Sequence, residues 1–226
     1  MTKTKIQQFW NRIPPHGQSL VELALFFPII LLLLSGLVEF GFMLNDYLNL
    51  MDGPRDAARL AVDMQPFTGT GTDTNYPFYT TVADEVLQSI SPYTLDPTRD
   101  DIVISVYGFR DQIIYGQFPN ADAGNGVNYT GEFSMDAYYH AKGTNASTFY
   151  SRRKITDTQV ASTISTHTPR IGAVVVELFY SYEQKLALPW ITVFLPNPVK
   201  LHMYAAAPLP AATPQECPDI LNPSCP

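Results

Sequence analysis

Residues 17–44 read GQSLVELALFFPIILLLLSGLVEFGFML, and this stretch decides the architecture. From Leu20 to Leu44 the run is apolar except for Glu22, Ser35 and Glu39. As a helix, about 25 residues reach roughly 37 Å, enough to cross a bilayer core. Lys3, Lys5 and Arg12 are the only charges before it, so the bias of positive charge toward the inside predicts a cytoplasmic N-terminus and an outer C-terminus. A cleaved secretory signal fits poorly, because Val38-Glu39-Phe40-Gly41-Phe42 offers no small-x-small cleavage pattern.

The rest of the chain narrows the class. Of 226 residues 46% are hydrophobic and 15% charged, far too apolar for a disordered chain. The net charge of −7 argues against a nucleic-acid partner, which needs a basic face to neutralise phosphates. The histidines, His16, His140, His167 and His202, are never paired at ligand spacing. No nucleophile elbow or zinc-protease motif occurs, so no catalytic residue, metal site or cofactor is expected and the protein reads as a non-enzyme.

Glu22 is the unusual residue, since a carboxylate inside a spanning segment is costly unless it has a partner. A cut between Gly17 and Gln18 would create an α-amine four residues earlier, one helical turn away on the same face. That amine titrates near pH ~8 and would be mostly cationic at neutral pH. An N-terminal glutamine can also cyclise to a neutral lactam, which would remove the charge. Such a cut leaves the apolar segment attached to the mature protein, which is how pilins differ from secreted proteins.

The stretch His16-Gly17-Gln18-Ser19-Leu20-Val21-Glu22-Leu23 resembles the processing site of a type IV pilin-like precursor. Val21-Glu22-Leu23, Pro28, Leu31 to Leu34, Gly36, Glu39-Phe40-Gly41 and Arg55-Asp56-Ala57-Ala58-Arg59 together resemble the TadE-like minor pseudopilins of tight-adherence (Flp) pilus systems. Leu23 stands where Phe or Tyr is usual in that family, and Gly53-Pro54 where small helix formers are. The resemblance implies processing at Gly17 and Gln18, amine pairing by Glu22, and helix packing involving Pro28, Gly36, Glu39 and Gly41. It implies a prepilin peptidase, other pilin or pseudopilin subunits, the pilus assembly machinery and membrane lipid as partners. The implied location is the cytoplasmic (inner) membrane, single-pass, or the extracellular pilus. The alternative is an uncut, signal-anchored extracellular binding module unrelated to pili, whose Tyr-rich stretch between Asn128 and Tyr150 would hold a glycan.

The expected fold is α+β: a long N-terminal transmembrane helix, then a small antiparallel-sheet domain with packing helices. The expected division is a leader over 1–17, an assembly helix over 18–63, an outer domain over 64–207 and a tail over 208–226. Pro54 predicts a helix kinked after about Met51 and broken before its last turns. Arg55 and Arg59, interleaved with Asp52 and Asp56, predict a salt-bridged solvated face. Residues 65–77 read as a loop and 81–90 as a short helix stopped by Ser91-Pro92. Residues 102–109 and 112–118 read as a hairpin, 120–150 as an insertion or surface loop, and 155–165 as a capped helix. Residues 172–182 and 199–206 read as strands joined by a Pro-rich connection over 186–198. Cys217 and Cys225, placed outside the membrane by this topology, are expected to form a disulfide closing a small loop.

Overall fold

A computed structural model describes residues 15–68, 73–96, 98–110, 113–118, 133–134, 158, 162, 170–193 and 195–213. In chain order the elements are α1 (Pro15–Val62), β1 (Phe67–Thr68), β2 (Asp73–Thr74), α2 (Tyr76–Ser89), β3 (Asp101–Arg110) and β4 (Ile113–Phe118). These are followed by β5 (Phe133–Ser134), β6 (Arg170–Tyr182), the short α3 (Pro189–Thr192), β7 (Val199–Pro208) and a 3-10 turn at Pro210–Ala212. The fold is α+β, with one long apolar helix and an antiparallel sheet. The chain divides into two compact units. One joins the part of α1 up to Leu44 with Glu183–Asn197, and the other holds Asn45–Tyr182 and the residues from Pro198 onward.

In the larger unit the sheet order is β4-β3-β6-β7, with β5 also pairing with β3. The long β3–β6 ladder runs antiparallel from Asp101↔Phe179 to Arg110↔Arg170, and β6–β7 from Ala173↔Pro208 to Tyr182↔Val199. Side chains alternate across a strand. Ile102, Ile104, Val106, Val174, Val176, Leu178 and Met203 accordingly share one face and one core. Helical residues fill that core from the other side: Leu50, Ala57, Ala58 and Ala61 from α1, and Phe78, Val82 and Val86 from α2, with Ile90 just after it. The opposite face is buried as well, with Val103, Tyr107, Phe109, Val175 and Phe179 on it.

Several local expectations change. The helix does not break at Gly53-Pro54; α1 is continuous through both residues. A proline removes only its own N–H and crowds the preceding turn, and here burial of the last turns outweighs that: Gly53, Pro54, Ala57, Ala58 and Ala61 are all buried. Gly53 has a positive role too. A Cβ there would meet Ile90 Cγ2 at 2.5 Å and Val86 Cγ1 at 3.2 Å, so its missing side chain lets α1 and α2 approach closely. The ladder of charges is present as read, Arg55–Asp52 at 3.7 Å and Arg59–Asp56 at 3.5 Å.

The region read as a loop over 65–77 contains the small β1–β2 pair, Phe67↔Thr74 and Thr68↔Asp73. α2 starts at Tyr76, earlier than the sequence suggested, because Pro77 lies in the first turn, where an N–H is not needed. Asn75 Nδ2 donates to the Gln65 carbonyl at 2.6 Å instead of capping the helix. The hairpin and the two late strands are present; β3, β6 and β7 are slightly longer than read, and β4 starts one residue later. Within the connection, Pro189–Thr192 forms a single helical turn. The expected helix over 155–165, most of the 120–150 segment, and Cys217 with Cys225 lie outside the described residues.

Candidate functional site

From Ser19 onward α1 is long and apolar enough to cross a membrane once. Between Leu20 and Leu44 nearly every large apolar side chain is exposed, whereas a soluble core helix buries one stripe. The helical backbone already runs through positions 17 and 18, which places residue 18 one turn before Glu22 on the same face. Glu22 itself is exposed. Pro28 sits within the unbroken helix. A Cβ added at Gly36 or Gly41 would meet nothing within 4 Å, so both glycines lie on open helix surface.

Glu39 behaves differently from its neighbours. It is only 3% exposed, and its carboxylate accepts two backbone hydrogen bonds, from Lys185 N at 2.9 Å and Leu186 N at 2.7 Å. One turn earlier, Trp190 Nε1–H donates to Ser35 Oγ at 3.1 Å, and Ser35 Oγ–H donates back to the Leu32 carbonyl at 3.0 Å. Gln184 braces the same segment internally: its Nε2 donates to the carbonyls of Leu195 and Pro196 at 3.2 and 3.3 Å, and its N–H donates to Asn197 Oδ1. The Pro-rich connection is thus a strap fastened to the helix at two points, Ser35 and Glu39. Charged acceptors make stronger hydrogen bonds than neutral ones, so the Glu39 end is the firmer.

Other buried polar groups serve the second unit. Tyr93 Oη–H donates to Asp46 Oδ1 at 2.9 Å and accepts from Asn49 Nδ2 at 3.2 Å. Asp100 accepts from Ser181 N at 2.8 Å and from Asp96 N at 2.8 Å. Burial pushes the Asp100 carboxyl above its ordinary range, and those hydrogen bonds hold it back only in part. Asp96 is held below its ordinary range by hydrogen bonds from Thr98, with Arg99 at 2.8 Å adding to the effect. On the sheet, Glu177 Oε1 meets His202 Nε2 at 2.8 Å, and the His202 ring stacks on Phe179. Among the described residues no group of three or more His, Cys, Asp or Glu could hold a metal ion.

Residues 17–59 match a family model described as TadE-like protein. The likeness covers this segment alone, about a fifth of the 226 residues. The matched segment begins at Gly17, contains Glu22, Pro28, Gly36, Glu39 and Gly41, and ends at Arg59 inside α1. No curated protein and no solved structure matches the chain. Sequence reasoning grouped Glu39 with the helix-packing residues and did not find its attachment to Lys185 and Leu186. The signal was present in the cost of an acid within an apolar run, but backbone N–H donors leave no mark in a sequence.

Proposed function

We propose that this protein is a pilin-like membrane subunit that takes part in assembling, priming or tipping a tight-adherence pilus, without catalysing a reaction. The observation that carries this reading is the TadE-like match over residues 17–59 lying on one unbroken helix whose stretch from Leu20 to Leu44 is largely apolar and exposed. A prepilin peptidase cuts between Gly17 and Gln18 on the cytoplasmic side. The freed amine sits one turn from Glu22 and neutralises a carboxylate of its own chain or of a neighbour during docking. The helix stores the subunit in the inner membrane and packs on other pilin helices through the open surface at Gly36 and Gly41, where absent side chains permit close backbone approach. The second unit lies outside and faces partners.

The test is Glu22→Ala in a cell that displays these pili. The expected result is normal membrane abundance with assembly lost. Unchanged pili would instead favour the plain signal-anchored binding module.

A further inference from the structure

The strap leaves a set of apolar side chains uncovered. Leu186, Trp190, Val193 and Leu195 are exposed, Val193 at 79%, while Ile191 in the same turn is buried. These residues belong to the same compact unit as the bare apolar surface of α1. Ser35 and Glu39, the two fastening points, lie 16 and 20 residues beyond Ser19. At 1.5 Å per residue that is roughly 24 and 30 Å along the helix, and a hydrocarbon core is about 30 Å thick. With the hydrocarbon core starting at Ser19, the strap would be held where α1 leaves it for the headgroups.

We propose that the strap is a membrane-interface anchor, with Leu186, Trp190, Val193 and Leu195 seated among the lipid headgroups and upper acyl chains of the leaflet where α1 exits. This rests on the reading of α1 as a spanning helix. Three features favour lipid over a protein occupant. The exposed apolar surface of the strap belongs to the same unit as helix surface that lipid itself would cover. Trp190 is amphipathic, and its N–H is already satisfied by Ser35 Oγ, so its ring enters the interface without a stranded donor, as in the aromatic belts of membrane proteins. Glu39, an acid that would be costly beside lipid, is covered by the strap's own N–H groups.

The experiment uses the full chain in vesicles of phosphatidylethanolamine and phosphatidylglycerol. Trp10→Phe leaves Trp190 as the sole tryptophan. A second variant, Trp10→Phe with Trp190→Phe and Phe26→Trp, puts the sole probe inside the apolar run of α1, roughly 10 Å along the helix from Ser19. Lipids brominated near the headgroup should remove most Trp190 emission, aqueous iodide should remove little, and deeply brominated lipid should quench the Phe26→Trp probe best. If that helix probe is quenched but Trp190 responds to iodide and not to bromine, the anchor is refuted while the spanning helix stands. Quenching of neither probe by brominated lipid overturns both. A Trp190 shielded from iodide and bromine alike also refutes the anchor, pointing to coverage by a second copy.

Discussion

Replacing Glu39 with alanine should release the strap, and hydrogen exchange at two backbone amides reads the release directly. The carboxylate accepts from Lys185 N at 2.9 Å and Leu186 N at 2.7 Å, and Glu39 is almost fully buried. Hydrogen bonds to a charged group contribute about 1.5–3 kcal/mol each. The bond from Trp190 to Ser35 persists in the variant, so the low end for each bond is appropriate, about 3 kcal/mol in all. That corresponds to exchange at Lys185 and Leu186 faster by about 150-fold. Glu39→Gln keeps one acceptor and should fall between, near 10-fold. The measurement is amide exchange on the full chain in lipid nanodiscs, with the β3–β6 ladder as an internal reference. Acceleration of less than about 3-fold at both amides, with the ladder unchanged, would refute the clamp.

Three further outcomes concern the second unit, each read by urea denaturation of the full chain in detergent. Gly53→Ala should destabilise by about 1 kcal/mol, because crowding Ile90 and Val86 costs about 1–3 kcal/mol and the helix-propensity gain returns under 1; a stabilised variant contradicts the close approach. Tyr93→Phe removes the hydroxyl that donates to buried Asp46 and should cost about 1–3 kcal/mol, and a loss under 0.5 kcal/mol would speak against that bond. Asp100 has its carboxyl raised by burial, so the folded state holds its proton more tightly than the unfolded state does. The group's contribution is fully present below the ordinary carboxylate range near pH ~4 and declines as pH rises through the higher folded value. The stability difference between Asp100→Asn and the parent should therefore move in the variant's favour from pH ~4 to pH ~7; movement the other way contradicts the shift.

The parts of the fold legible in the sequence are those written in periodicity. Leu20 to Leu44 declares a helix long and apolar enough to span a membrane, interrupted only by Glu22, Ser35 and Glu39, and the strands through 102–109, 172–182 and 199–206 declare themselves by β-branched and aromatic content. What escaped was decided by tertiary contact. Pro54 carries a local preference for a break, but Ala57, Ala58 and Ala61 bury against the sheet and α2 and hold the helix together. Gly53 looked like a weakness until Ile90 was seen opposite it. The strap is the clearest case: Glu39 and Lys185 are 146 residues apart, and the bond joins a side chain to a backbone group. For the candidate site, Gly17, Gln18 and Glu22 stand out through a local spacing, a single helical turn, together with the resemblance to a pilin-like processing site.

The most direct test of the pilin-like account is the intact mass and N-terminal sequence of the membrane-extracted protein, produced with and without its prepilin peptidase. The account predicts a mature chain beginning at Gln18, or at its cyclised form, only when the peptidase is present. A chain left unprocessed in both conditions, or one cut after Val38, would contradict it.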